Sequence, residues 1–257
     1  MTGTSAVVIP ELPNVLSLLA DSLRGTVAGN FLNSWENLFF SLFIAAMLVL
    51  AAILVSRKHE MVPGRLQNAM EILVEGLDGL VCGILGRKDG RKYLPFLGTL
   101  FIYILFMNLC GLIPFMKSAT SGWSTTAALA LCVFFYVNYT AVRKLGFIGY
   151  LDHLAGRPRG IMAVTAILPL MMFVLHTFSE LIRPVTLSLR LRSNVWGDDV
   201  LMAVFAGFGL KGFPLLFFNT LLALLSAIVQ AIVFLLLSTI YFALVLNHDD
   251  DVPAGAK

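Results

Sequence analysis

Charge is scarce in this chain and cysteine is scarcer. Lys, Arg, Asp and Glu together supply only 13% of its 257 residues, against roughly a quarter in soluble domains. Hydrophobic residues supply 58%, and the mean hydropathy is +0.88, far more apolar surface than a core of this size can hide. A soluble fold is thereby excluded. The three cysteines, Cys82, Cys110 and Cys132, are scattered singly among apolar neighbours, which excludes a disulfide framework or a Cys-based metal site. No Gly-rich loop ending in Lys-Ser/Thr is present to cradle phosphates, and no nucleophile stands beside a base. Nucleotide chemistry, covalent catalysis and a bound cofactor therefore find no support, and the net charge of +3 gives no reason to invoke nucleic acid. The first 35 residues lack a positive n-region and a small-residue cleavage site, so they read as an extracytoplasmic leader of the mature chain rather than a signal peptide. Internal repeats, low-complexity linkers and a second domain are also missing.

What remains is a series of long apolar stretches. Leu38 to Val55, Tyr93 to Phe115, Thr125 to Val142, Ile161 to Phe205 and Phe213 to Leu246 each approach or exceed the roughly 20 residues that a membrane helix requires. The class is an all-α polytopic membrane protein forming one membrane domain over residues 1–257: a first span at 38–55, a helical hairpin at 93–142, and long helices at 161–205 and 213–246. Between the first span and the hairpin, residues 64–86 carry Gln67, Glu71, Glu75 and Asp78 among Leu66, Met70, Leu73, Val74, Leu77, Leu80 and Val81. That spacing predicts an amphipathic helix lying along the interface. Ile161 to Phe205 would be roughly 67 Å long as a helix, about twice the hydrocarbon thickness, so it must either fold back as a hairpin or lie very obliquely. Pro169 and Pro184 mark the possible bends.

Basic residues orient the chain. With the N-terminus outside, the inner segments hold Arg57, Lys58, Arg65, Arg87, Lys88, Arg91, Lys92, Arg143, Lys144, Arg157, Arg159 and Lys257, whereas the outer ones hold only Arg24, Lys117 and Lys211. The positive-inside rule thus sets the N-terminus outside and the C-terminus in the cytoplasm. A bacterial inner membrane is the simplest setting. The other three basic residues, Arg183, Arg190 and Arg192, lie within a long apolar segment. An arginine at mid-depth costs about 2.5 to 3.5 kcal/mol on insertion scales and cannot shed its charge, so such a residue marks a functional site.

The polar residues of the two last helices fall into stripes. His176, Glu180, Arg183, Arg190, Asn194 and Asp198 recur at helical spacings that keep them on one face. Asn219, Ser226, Gln230 and Tyr241 do the same on the last helix. Two such helices, stripe to stripe, can carry water and protons without exposing charge to lipid. A pathway closed within one chain, as in an ion channel or secondary transporter, is the alternative. Transporters often repeat a half containing broken helices, and no repeat is visible here.

The segment RPVTLSLRLRSN, followed by SAIVQAIVF in the last helix, resembles subunit a of the F-type ATP synthases. MVPGRLQNAMEILVE, FLGTLFIYILFMNLCGLIPF and TAALALCVFF support the resemblance, which runs in family order from about Trp35 to Leu246. It implies one upright span, an interfacial helix, a transmembrane hairpin and two long tilted helices facing a rotor. The implied partners are a ring of c subunits, the b subunits of the peripheral stalk, other ATP synthase subunits and the lipid bilayer. The implied activity is non-enzymatic ion translocation through two offset half-channels, coupled to rotary ATP synthesis.

Carried over position by position, Arg190 matches the family's essential arginine, whose charge favours an ionised rotor carboxylate and bars a direct leak. Gln230 matches the polar residue opposite it, and Asn194 the asparagine one turn beyond. Asp199, with its neighbour Asp198, stands where the family places the outer half-channel, and Asn108 near that opening. Glu180 and His176 lie toward the inner half-channel. Two departures stand out. Arg192 and Ser193 replace the usual Phe-Gly or Phe-Ala, putting a second arginine about 160° around the helix from the first. Ala223 occupies a position where a relay partner often sits, a role then left to Asp198. Arg183 and Arg192 read as structural, their long stems snorkelling or pairing with Glu180 or Asp198.

Overall fold

The computed structural model describes residues 27–56, 64–113, 120, 122–154 and 162–246. Five α-helices account for nearly all of them: α1 (Val27–Ser56), α2 (Arg65–Cys110), α3 (Trp123–Leu154), α4 (Met162–Gly207) and α5 (Phe213–Leu246), with a 3₁₀ turn, Gly209–Gly212, between the last two. Among the described residues, Trp35–Leu54, Gln67–Cys110, Trp123–Lys144 and Phe213–Leu246 are each long and apolar enough to cross a membrane. A helix satisfies its own backbone groups, which lipid cannot do.

Glycine divides two of the helices. Gly86 takes φ 78° and ψ 160°, interrupting α2. A side chain would strain that backbone, so the amphipathic segment ends there, just ahead of Arg87, Lys88, Arg91 and Lys92. A similar break at Gly146 interrupts α3. Helix α1 begins at Val27, eleven residues ahead of the apolar stretch at 38–55, so the end of the segment read as a leader is helical. Residues 1–26 lie outside the described part, as do Arg57, Lys58, Lys117, Arg157, Arg159 and the tail after Leu246.

The long fourth helix decides between the two expectations for residues 161–205. Met162–Gly207 is one helix of 46 residues, so the chain does not fold back on itself within it. Pro184 costs a hydrogen bond, but its fixed φ is itself helical. The reversal comes after Gly207 instead. Gly209 has φ 60°, and a Cβ on Gly212 would fall 2.4 Å from the carbonyl oxygen of Phe205, so a side chain there would block the tight turn into α5.

The chain forms two compact units, and the boundary between them runs through α2, α3, α4 and α5. The first comprises residues 1–66, 100–125 and 191–233. Phe40, Ile44, Ile104, Met107, Leu191 and Val195 are buried within it, and the hydroxyls of Ser41 and Tyr103 meet at 2.5 Å to tie α1 to α2. Ala223, Ala227 and Ala231 recur every fourth residue along α5 and are all buried, the small-residue pattern that lets membrane helices approach closely. The second unit comprises residues 67–99, 126–190 and 234–257. Its centre is aromatic: Tyr93 and Phe96 of α2, Tyr136 of α3 and Phe242 of α5 meet, with Phe96 stacked on Tyr136 at 4.2 Å between centroids and Tyr93 at 4.9 Å from Phe242.

Candidate functional site

Helical spacing puts Asn194 and Asp198 one turn apart on α4, and Ser226 and Gln230 one turn apart on α5. The first unit brings these pairs together. Asn194 Nδ2 donates to Gln230 Oε1 at 2.8 Å, and the Asp198 carboxylate is hydrogen-bonded to Ser226. A side-chain hydrogen bond between membrane helices contributes about 0.6 kcal/mol on average. Its larger effect is to fix which way each amide points.

A cavity of about 30 Å³ opens beside these pairs, and Asn108, Asn194, Asp198, Asp199, Ser226 and Gln230 supply its polar lining. Five of the eight residues singled out from the sequence therefore share one space. Asn108 comes from the end of α2 and is only 6% exposed. Its Oδ1 accepts a hydrogen bond from the Thr120 hydroxyl at 2.7 Å. The other amide ends differ: Asn108 Nδ2 and Gln230 Nε2 are buried and have no partner among the described residues. An unsatisfied buried donor costs about 1 to 3 kcal/mol, and the space is large enough for water, which needs roughly 10 to 15 Å³. The walls are two carboxylates and two amide donors. Chemically, that combination suits proton relay through water and offers no nucleophile.

Arg190 belongs to the second unit. It is exposed and lines a larger cavity of about 160 Å³ together with Arg183, Leu187, Ser238 and Tyr241. Among the described residues its guanidinium has no hydrogen bond or ion pair. Arg183 lies over the ring of Tyr241, 4.6 Å from the centroid, a cation–π contact of about 0.5 to 2 kcal/mol. In the first unit Arg192 sits 5.3 Å from the ring of Trp123. Both neighbouring arginines thus lie against aromatic faces, and the pairing expected with Glu180 falls on a side chain outside the described part.

Of the remaining two candidates, His176 is not among the residues that line either cavity. His176 is exposed on α4, and the side chain of Glu180 lies outside the described part. Reading the sequence alone passed over two polar residues. Thr120 sits in a connecting segment with no periodicity to flag it. Ser238, 2% exposed with an unpartnered hydroxyl, lies about 80° around α5 from Gln230, off the polar stripe. Ser226 stood on that stripe, and only the cavity gives it a place beside Asp198.

The sequence pattern of the family described as ATP synthase A chain matches residues 38–243. Over 252 residues the chain is 42% identical to ATP synthase subunit a of Protochlamydia amoebophila, covering 95% of this chain and 92% of that one. It is 37% identical to ATP synthase subunit a of Oleidesulfovibrio alaskensis over 216 residues, 83% of this chain and 87% of the relative. Against the subunit a of Helicobacter pylori strain Shi470 the identity is 35% over 205 residues, 80% and 87% of the two chains.

Proposed function

Because the chain belongs to the ATP synthase A chain family, we propose a division of labour among its residues: the cavity at Asp198 and Asp199 is the outer half-channel, and Arg190 is the electrostatic barrier beside the rotor. The chain is a non-catalytic, multi-pass membrane subunit that takes part in proton transport for ATP synthesis. ATP chemistry itself belongs to other subunits. The ring of c subunits is the moving partner and the b subunits of the peripheral stalk hold this chain still. The N-terminus lies outside and the C-terminus in the cytoplasm, following the basic residues.

Protons enter beside Asp199, pass Asn108 and Asp198, and reach a carboxylate on the ring. They ride the ring almost a full turn and leave past Glu180 and His176. When an ionised ring carboxylate passes Arg190, the fixed positive charge favours the deprotonated form and opposes the passage of a free proton, as charged constrictions do in other pores. The gathering of Asn108, Asn194, Asp198, Asp199 and Gln230 around one cavity carries this reading. Residues scattered over more than 120 positions would not converge for packing alone.

The test compares wild type with Arg190→Ala in proteoliposomes containing the whole complex. ATP-driven pumping is expected to vanish while the complex still assembles, with passive proton leak through the membrane sector persisting or rising. If pumping survives in the variant, the arginine is structural and the proposal fails.

A further inference from the structure

Three amides line the cavity, and two of them, Asn108 and Gln230, are held at the carbonyl end. Thr120, fully buried, donates to Asn108 Oδ1 at 2.7 Å. Asn194 donates to Gln230 Oε1 at 2.8 Å. A primary amide has one accepting end and one donating end, so fixing the oxygen fixes the nitrogen. In both residues the NH₂ group is the end left without a partner among the described residues, although Asn108 and Gln230 are 6% and 2% exposed. Both residues line the cavity that Asp198 and Asp199 also line.

We infer that Thr120 and Asn194 are positioning residues that turn the amides of Asn108 and Gln230 donor-end inward, and so orient the water through which the cavity hands protons to its acids. A water that accepts a hydrogen bond from one of these N–H groups keeps its second lone pair free to take up an incoming proton. Its own O–H bonds then point at acceptors, and the carboxylates of Asp198 and Asp199 are the charged acceptors in the lining. A proton reaching that water is passed to a carboxylate and the water is left neutral again. An amide turned the other way would accept the water's O–H and break the chain to the acids. The inference rests on the cavity being the outer half-channel.

Its test is a double-mutant cycle on Thr120 and Asn108, measured as passive proton flux through the reconstituted membrane sector at equal complex content. Thr120→Val keeps the shape and removes the donor. Flux is expected to fall roughly five- to tenfold, the effect of one hydrogen bond on a barrier. Asn108→Ala should cost about the same, and the double variant no more than either, because Thr120 acts through Asn108. Thr120→Ser, which restores the hydroxyl, should recover flux to within about twofold of wild type. A Thr120→Val flux equal to wild type, a Thr120→Ser flux as low as that of Thr120→Val, or additive losses in the double variant would each overturn the inference, additivity pointing to a packing role. If Asn108→Ala itself leaves flux unchanged, the half-channel reading fails along with it.

Discussion

Arg190 and Arg192 are separated by one residue and meet different surroundings. On a helix their side chains diverge by about 160°, so one arginine faces a cavity while the other lies against the Trp123 ring. An arginine stacked on an aromatic face keeps its charge but loses reach, which lets this chain carry a second arginine beside the first. Asp198 and Asp199 are likewise adjacent and share the outer cavity, but Asp198 is engaged by Ser226. Asp199 is assigned to the opening. Asp199→Ala is therefore expected to slow passive proton flux at least tenfold, about 1.4 kcal/mol of barrier, while leaving assembly intact. Flux equal to wild type at matched complex content would move the assignment to Asp198.

Among the helices, the turn between α4 and α5 is the element on which the outer cavity depends, because it brings Asp198 back beside Ser226. The turn closes on Gly212, whose missing Cβ leaves room for the Phe205 carbonyl. Gly212→Ala must push that backbone aside. A loss of about 1 to 3 kcal/mol is expected, read as a lower thermal midpoint of the purified membrane sector; an unchanged midpoint would show that the turn relaxes at no cost. The break at Gly86 works differently. It needs the left-handed backbone region but has nothing crowding the missing Cβ, so its cost is conformational alone. It falls where residues 64–86 were expected to end, because the same position that stops the amphipathic pattern starts the basic cluster.

At the scale of the whole molecule, the arrangement of basic residues makes a direct prediction about sidedness. Asp250→Cys should react with a membrane-impermeant maleimide from the cytoplasmic side only. Labelling from the outside in intact cells would reverse the orientation and exchange the inner and outer half-channels. Much of the architecture was legible in composition and period. Apolar stretches of spanning length appear as helices, and the polar stripes do pair within each unit, Asn194 with Gln230 and Arg183 with Tyr241. Of the two expectations for residues 161–205, the hairpin is the one the single helix α4 does not bear out: a proline signals a lost hydrogen bond, not the direction the chain takes next.

The class and the faces of α4 and α5 were legible in the sequence alone, because hydropathy and periodicity are local properties, and the family was legible in its motifs. Period gives the angle of a residue around its own helix. It says nothing of which helix lies opposite, and so Thr120, Ser238 and the stacking of Arg192 on Trp123 became visible only in the folded chain. The meeting of Asn108 with Asp198, 90 positions apart in the sequence, was decided by the packing of α2, α4 and α5 within one unit. Tertiary structure also chose the ends of the amides, since an amide's orientation follows from the donor across from it.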